Sequence, residues 1–224
     1  MTQTVGAPVD TTPALKPSAV ILKGRHGVIE KFEPVKHTRS LWDAIEGDDK
    51  LWTYMWYGPF AERAAFEKFA ALLASREDPF AYAIIDNSSN VLGVATLMEI
   101  RPANRVIEVG GIFYSKALRQ TPLATEAQFL LMRYVFEELH YRRYEWKCDT
   151  FNAPSRRAAE RFGFTFEGIF KQHMIIKGKN RDTAWFAVLD SEWPALKRAY
   201  EAWLAPENFD AQGRQQKKLE AFRS

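Results

Sequence analysis

Cysteine is nearly missing from this 224-residue chain: Cys148 stands alone. An internal disulfide framework is therefore excluded, and a reducing, cytoplasmic setting is expected. Long apolar runs are missing too, since nothing approaches the roughly 18 residues that cross a bilayer as a helix. The opening MTQTVGAPVDTTPALKPSAV lacks the basic start and apolar block of a secretory signal, so no membrane partner is expected. Charge of one sign is scarce: 31 Lys and Arg against 28 Asp and Glu leave a formal net charge of +3. That is too little for an electrostatic footprint on nucleic acid, although GRQQKKLEAFRS at the chain end is locally basic. The four histidines, His26, His37, His140 and His173, show no ligand spacing among themselves or with Cys148, so no metal is expected. No internal repeat is present.

What is present is 46% hydrophobic residues, enough to bury one sizeable core. Residues 1–20 are rich in Thr, Pro, Ala and Val without periodicity and read as a flexible arm or a segment draped on the surface. GVIEKFEP alternates as a first strand ending at Pro34. Helical patterns follow near 37–47 and 60–76, the second with Pro59 in its first turn. FAYAIIDNSSNVLGVATLMEI and NRVIEVGGIFYS hold three strand-like runs joined by turn compositions, an antiparallel meander. Next comes a helix whose Leu123, Ala127, Leu130, Leu131, Tyr134 and Val135 recur at three- and four-residue spacing, with Glu126, Gln128, Arg133 and Glu137 mainly elsewhere. RRYEWKCD reads as a strand, NAPSRRAAERFGF as a helix stopped by Gly163, and the runs flanking KGKNR as a hairpin. A last helix begins near DSEWP, capped by Asp190 or Ser191. Residues 206–224 read as a basic C-terminal tail that is expected to be helical. The order predicts a mixed α/β domain over residues 21–205, not a doubly wound one.

Several residues carry chemistry in this pattern. A strand-to-helix loop, as at LRQTPLATEA, presents free N–H groups and the positive end of a helix dipole, both suited to a diphosphate. Arg119 can add a charge-assisted bond. Pro122 has no N–H to give, yet proline suits the first helical position, and Thr121 before it is a competent cap. A plain helix cap accounts for the same residues. Gly110 and Gly111 give the preceding strand room for a bulge, or simply relieve packing.

The set RVIEVGGIFYS, LRQTPLATEA and NAPSRRAAERFGFTFEG resembles the GNAT acetyltransferases, and within them the branch of ribosomal-protein N-terminal acetyltransferases. The resemblance implies a GNAT-like fold: a twisted, mostly antiparallel sheet with a splayed strand pair, flanked by helices. It also implies acetyl-CoA as co-substrate and direct attack by an acceptor amine, which is a protein N-terminus, an amino acid or a small amine. By the family's loop pattern, Arg119, Gln120, Thr121, Leu123 and Ala124 hold the diphosphate, with Pro122 in place of a glycine. Ile112, Phe113 and Tyr114 face the pantetheine arm, Asn152 bonds its amides, and Ser155 sits near the sulfur. RFGFTFEG carries a signature of mostly structural role. Glu108 matches a Glu-hydrophobic-Gly element and is the candidate base, on the face shared with Gly110, Ile112 and Tyr114; a structural ion pair is the alternative. Trp56, Tyr57 and Trp146, with Trp52 and Tyr54, wall the acceptor cleft or pack the core. Cys148 reads as a small buried thiol, not an acyl carrier. A homodimer is an allowed assembly. The rival function is a non-catalytic acyl-CoA-binding regulatory module, with Pro122 marking decay of the loop.

Overall fold

Alternating apolar residues run through most of the strand-like segments, and in the computed structural model, which describes residues 5–223, these segments join into one eight-stranded sheet. Its strands are β1 (Ile21–Lys23), β2 (Gly27–Lys31), β3 (Phe80–Asp86), β4 (Val91–Arg101), β5 (Val106–Tyr114), β6 (Arg143–Asp149), β7 (Thr165–Ile176) and β8 (Lys179–Leu189). The order across the sheet is β1-β2-β3-β4-β5-β6-β8-β7. Neighbours run antiparallel except β5 and β6, which pair in parallel only over Val106–Val109 and Arg143–Trp146. Beyond those residues the two strands part. The mixed α/β sheet with one splayed pair is the architecture expected from the sequence.

Among the described residues five α-helices cover the sheet: α1 (Pro34–Ile45), α2 (Arg63–Ala74), α3 (Pro122–Arg133), α4 (Ala153–Arg161) and α5 (Trp193–Leu204). One face packs Phe32, Leu41, Trp42, Trp52, Phe66 and Phe113 beneath α1 and α2. The other packs Tyr82, Leu97, Val109, Leu131, Tyr144 and Phe186 beneath α3 and α5. Gly163, at φ +94°, follows α4 as its stop. Lys177 and Gly178, both at positive φ, form the two-residue turn of the β7–β8 hairpin.

Four features differ from the sequence reading. α2 starts at Arg63, so Pro59 lies ahead of the helix in a turn where Phe60 meets Trp52 edge-on at 5.1 Å. The residue before α5 is Glu192, while Asp190 accepts from the Ser191 N–H at 2.9 Å. Glu126 and Gln128 are buried rather than outward, because α3 is covered on both sides. Glu126 accepts the N–H groups of Arg25 and His26, both at 2.7 Å, and Gln128 donates to the Tyr114 hydroxyl at 2.9 Å. Finally, residues 206–223 do not continue as a helix, and Ser224 of that expected tail lies outside the described residues. Short 3-10 turns at Pro206–Asn208 and Leu219–Phe222 flank a loop that folds back, with Leu219 fully buried.

Before β1, the segment draped on the surface is tied down: Ala14 N–H reaches Pro102 O at 3.1 Å, and Leu15 N–H reaches Leu139 O at 2.9 Å. Tyr82 donates to Ser18 O at 3.0 Å.

Candidate active site

The gap between β5 and β6 opens into a cleft, and a bulge in β5 shapes it. Opposite β4 the register steps from Thr96↔Gly110 to Val94↔Phe113, so β5 carries one extra residue there. Gly111 sits at φ +55°, and a Cβ on it would come 3.0 Å from Thr96 Oγ1. On Gly110 a Cβ would meet Met98 and lie 3.1 Å from Glu108 Oε1. Gly111 therefore needs glycine, whereas at Gly110 a side chain would fit only if Met98 moved aside.

The bulge also corrects one expectation. Glu108 and Gly110 do share a face, but the extra residue inverts the alternation, and Ile112 and Tyr114 point to the α3 side instead. Both pack against the core beneath α3, whereas Phe113 joins the core beneath α1 and α2. Along the strand after the bulge the backbone N–H groups of Ile112 and Tyr114 alternate away from β4 toward the gap, whereas that of Phe113, opposite Val94 and in step with the Ser115 N–H to Leu92 O bond, faces β4.

Glu108 lines the cleft, 5% exposed, with its Oε2 at 2.8 Å from Lys147 Nζ. Burial pushes its carboxyl up to about 7, against the pull of the Lys147 ammonium. Lys147 also lies 3.0 Å from Glu145 and 4.0 Å above the Trp185 ring. Glu145 in turn takes Arg101 and Arg143, both at 2.7 Å, and these cations hold its carboxyl below the usual range despite burial. The two carboxylates are thus unequal. Glu145 is fully compensated, while Glu108 has one cationic partner and an open side toward the cleft.

On the opposite wall, Asn152 Oδ1 caps α4 by accepting Ser155 N–H at 3.2 Å. The Trp146 indole N–H donates to Ser155 Oγ at 3.0 Å, so Ser155 keeps its own hydroxyl proton to donate, with the Cys148 sulfur within its reach. Trp146 packs on Phe162 and Phe164, so it serves core and site together. Cys148 lines the same cleft, and burial pushes its thiol up, away from the thiolate an acyl carrier needs.

At the α3 start, Thr121 Oγ1 accepts Ala124 N–H at 3.2 Å, so Thr121 is the helix cap. Gln120 holds φ +62°, and the N–H groups of Gln120 and Leu123 have no acceptor among the described residues. Arg119 is already engaged: it donates to Tyr114 O at 2.8 Å and to Asp48 Oδ2 at 2.9 Å, clamping the loop to the segment after α1.

The aromatic candidates divide. Trp56, 45% exposed, stands at the cleft mouth beside Tyr54, whose hydroxyl donates to Phe151 O at 2.9 Å. Tyr57 is not among the residues lining the cleft. It stacks within 4.3 Å of Phe69 in the aromatic cluster around Trp52, with its hydroxyl buried and unpartnered among the described residues. Lys147 and Arg181 line the cleft without having been singled out from the sequence. The signal for Lys147 lay in RRYEWKCD, where alternation sets Arg143, Glu145 and Lys147 on one face; only the Glu108↔Glu145 register places that face beside the candidate base.

Comparison with known proteins gives this arrangement its relatives. Residues 29–165 match the family described as Acetyltransferase (GNAT) domain. The crystal structure of a GCN5-related N-acetyltransferase from Brucella melitensis superposes with a TM-score of 0.92 at 53% identity, covering 95% of this chain and 97% of that one. A GNAT-family structure from Chromobacterium violaceum does so with a TM-score of 0.80 at 37% identity, covering 87% and 98%. Among curated proteins, YdaF of Bacillus subtilis, whose name assigns it provisionally to ribosomal N-acetyltransferases, is 29% identical over 108 residues. That match covers 48% of this chain and 58% of YdaF.

Proposed function

The chain belongs to the GNAT acetyltransferase family, and from that premise we propose that it transfers the acetyl group of acetyl-CoA to a primary amine within one ternary complex. The observation that carries this reading is the Gly-bulged gap between β5 and β6, with the buried Glu108 carboxyl on one wall and the Ser155 hydroxyl on the other. We assign the acetyltransferase domain to residues 21–205; contacts of Ala14, Leu15, Ser18 and Asn208 dock the adjoining segments on it.

Pantetheine lies in the gap along Ile112, Phe113 and Tyr114, as an added strand would. The Asn152 amide NH2, left over once its oxygen caps α4, serves the pantetheine amides. Diphosphate rests at the α3 start on the Gln120 and Leu123 N–H groups, with small Ala124 allowing close approach and Thr121 holding the loop. Arg119 fixes that loop and offers its remaining N–H capacity.

A protonated amine has no lone pair, so Glu108 takes its proton, directly or through water. The freed nitrogen attacks the thioester carbonyl carbon, and β5 N–H groups at the bulge stabilise the developing oxyanion. The C–S bond then breaks as the nitrogen sheds its extra proton, and the sulfur leaves as thiolate toward the Ser155 hydroxyl and takes up that proton, directly or through water, to give the free thiol of CoA. Trp56 with Met174, Ile175 and Ile176 forms an apolar shelf beside the cleft mouth. Such a shelf favours an extended peptide N-terminus over a small polar amine as acceptor.

Incubation with acetyl-CoA and an amine panel including peptides, read by released thiol, tests the proposal. Tight acetyl-CoA binding with no thiol released on any acceptor overturns it in favour of a binding module. A sharper expectation concerns the leaving group. Ser155→Ala should lower kcat roughly 10- to 100-fold while acetyl-CoA affinity holds, since the hydroxyl acts on a charge that exists only as the sulfur departs. Unchanged kcat would remove Ser155 from the mechanism.

A further inference from the structure

We propose that Arg181 binds a carboxylate on the acceptor, so that the amines this protein acetylates carry an acidic group close to the reacting nitrogen. The inference rests on the acetyl-transfer reading above and names the class of acceptor for that same cleft.

Position comes first. Along β8, Ala184, Phe186 and Val188 face the core beneath α3 and α5. Alternation therefore sets Arg181, Thr183 and Trp185 on the opposite face of the sheet, where Lys147 joins Glu108 to the Trp185 ring. The helix that carries Asn152 and Ser155 packs on the α3 side through Ala159. Pantetheine comes from that side, so Arg181 stands on the one left to the acceptor. It also pairs in register with Met174, a residue of the apolar shelf beside Trp56. A chain that enters over the shelf passes Arg181 on its way to Glu108.

Charge is the second argument. Arg181 is 7% exposed, yet it lines the cleft. Its Nε donates to Thr183 Oγ1 at 3.1 Å, and its two terminal nitrogens have no acceptor among the described residues. The other buried cation of the cleft, Lys147, is shared between two carboxylates. Arg181 has none within 4.0 Å among the described residues. Asp149 acts on it from farther away, with Oδ1 already accepting the Phe151 N–H at 2.8 Å. A cation stripped of water without a close counter-charge is unfavourable until an anion arrives. The free end of the guanidinium fork matches a carboxylate bidentately.

Third, the fork is held before any ligand enters. Thr183 is fully buried, and its Oγ1 also meets His173 Nδ1 at 3.0 Å, which fixes the point to which Arg181 Nε is tied. The cleft then offers two groups of opposite sign, the Glu108 carboxyl for the amine and the Arg181 cation. An amine with a carboxylate beside it matches both, whereas a diamine brings a like charge to the second. That carboxylate belongs to an acidic residue next to a peptide N-terminus or to the main chain of a free amino acid. The guanidinium accepts either, and the apolar shelf favours the peptide.

Thiol release from acetyl-CoA with paired acceptors on the full chain decides the matter. One pair is a set of peptide amides with Asp or Asn as second residue and the first residue varied; the other is free amino acids against their amides. In at least one pair kcat/KM should be about 10- to 100-fold higher for the acidic member, the scale of a charge-assisted contact, and the pair that shows it identifies the source of the carboxylate. Arg181→Gln should bring the two members to one value, chiefly through KM. Equal rates within both pairs on the wild type, or a preference that survives in Arg181→Gln, would overturn the inference while acetyl transfer itself stands. A variant that loses acetyl-CoA affinity by calorimetry would place Arg181 on the cofactor and overturn it too. Should the variant fold poorly, the wild-type pairs still decide. Acetyl-CoA binding with no thiol released on any acceptor would instead defeat the transfer reading, and this inference with it.

Discussion

Glu108→Gln is expected to lower kcat/KM by about 10²–10⁴-fold at pH 8, the range a positioned general base contributes, with acetyl-CoA affinity retained. Glutamine keeps the shape of the side chain on β5 but cannot accept the proton of an ammonium group. The pH profile separates this role from a structural ion pair. Burial raises the Glu108 carboxyl from 4.5 to about 7, so in the wild type kcat/KM should climb as pH passes that value and the carboxylate ionises. The variant should lack this limb. Stability should move with the opposite sign. The folded protein holds a proton that the unfolded chain releases near 4.5, so raising the pH from there through about 7 weakens the wild-type fold, and the glutamine variant escapes that loss. Near wild-type turnover with an unaltered limb would move the base elsewhere.

Glu108 shows how far a sequence alone reaches. The meander is legible because β3, β4 and β5 alternate or run apolar between turn-forming residues. The splayed pair came from the resemblance to the GNAT acetyltransferases, not from any periodicity, while the loop and helix start at Pro122 were legible in the residue types themselves. What alternation could not convey is its own interruption. One extra residue at Gly111 sends Ile112 and Tyr114 to the far face, and no periodic pattern marks where a register slips. Burial of Glu126 and Gln128 was hidden for a related reason. Their partners, the Arg25–His26 turn and Tyr114, lie far away in the chain, so the outward reading of polar residues on α3 had nothing to correct it. The C-terminal residues misled by composition: KKLEAF favours a helix, yet burying Leu219 and anchoring Asn208 at Trp203 O and Lys217 O wins over local propensity. Lys147 was invisible because its meaning depends on which strand lies beside β6.

Lys147→Met tests that meaning. Its Nζ lies between Glu108 and Glu145 at 2.8 and 3.0 Å, over the Trp185 ring, with the side chain 10% exposed. Methionine fills nearly the same volume without the charge. Glu145 keeps Arg101 and Arg143, so its charge stays compensated. Glu108 loses the cation that opposes its desolvation, and its carboxyl must rise further. Two results are expected together. The rising limb of kcat/KM should shift to higher pH than in the wild type. Denaturant titration should show destabilisation of about 3–5 kcal/mol above that limb, where a buried carboxylate is left unpaired, and a smaller loss at pH 5, where Glu108 is protonated in both proteins. The pairing of outcomes matters, because simple loss of packing would cost the same stability at both pH values and leave the limb where it was. A limb that stays fixed would mean that Lys147 acts on Glu145 alone and that Glu108 is set by burial without it.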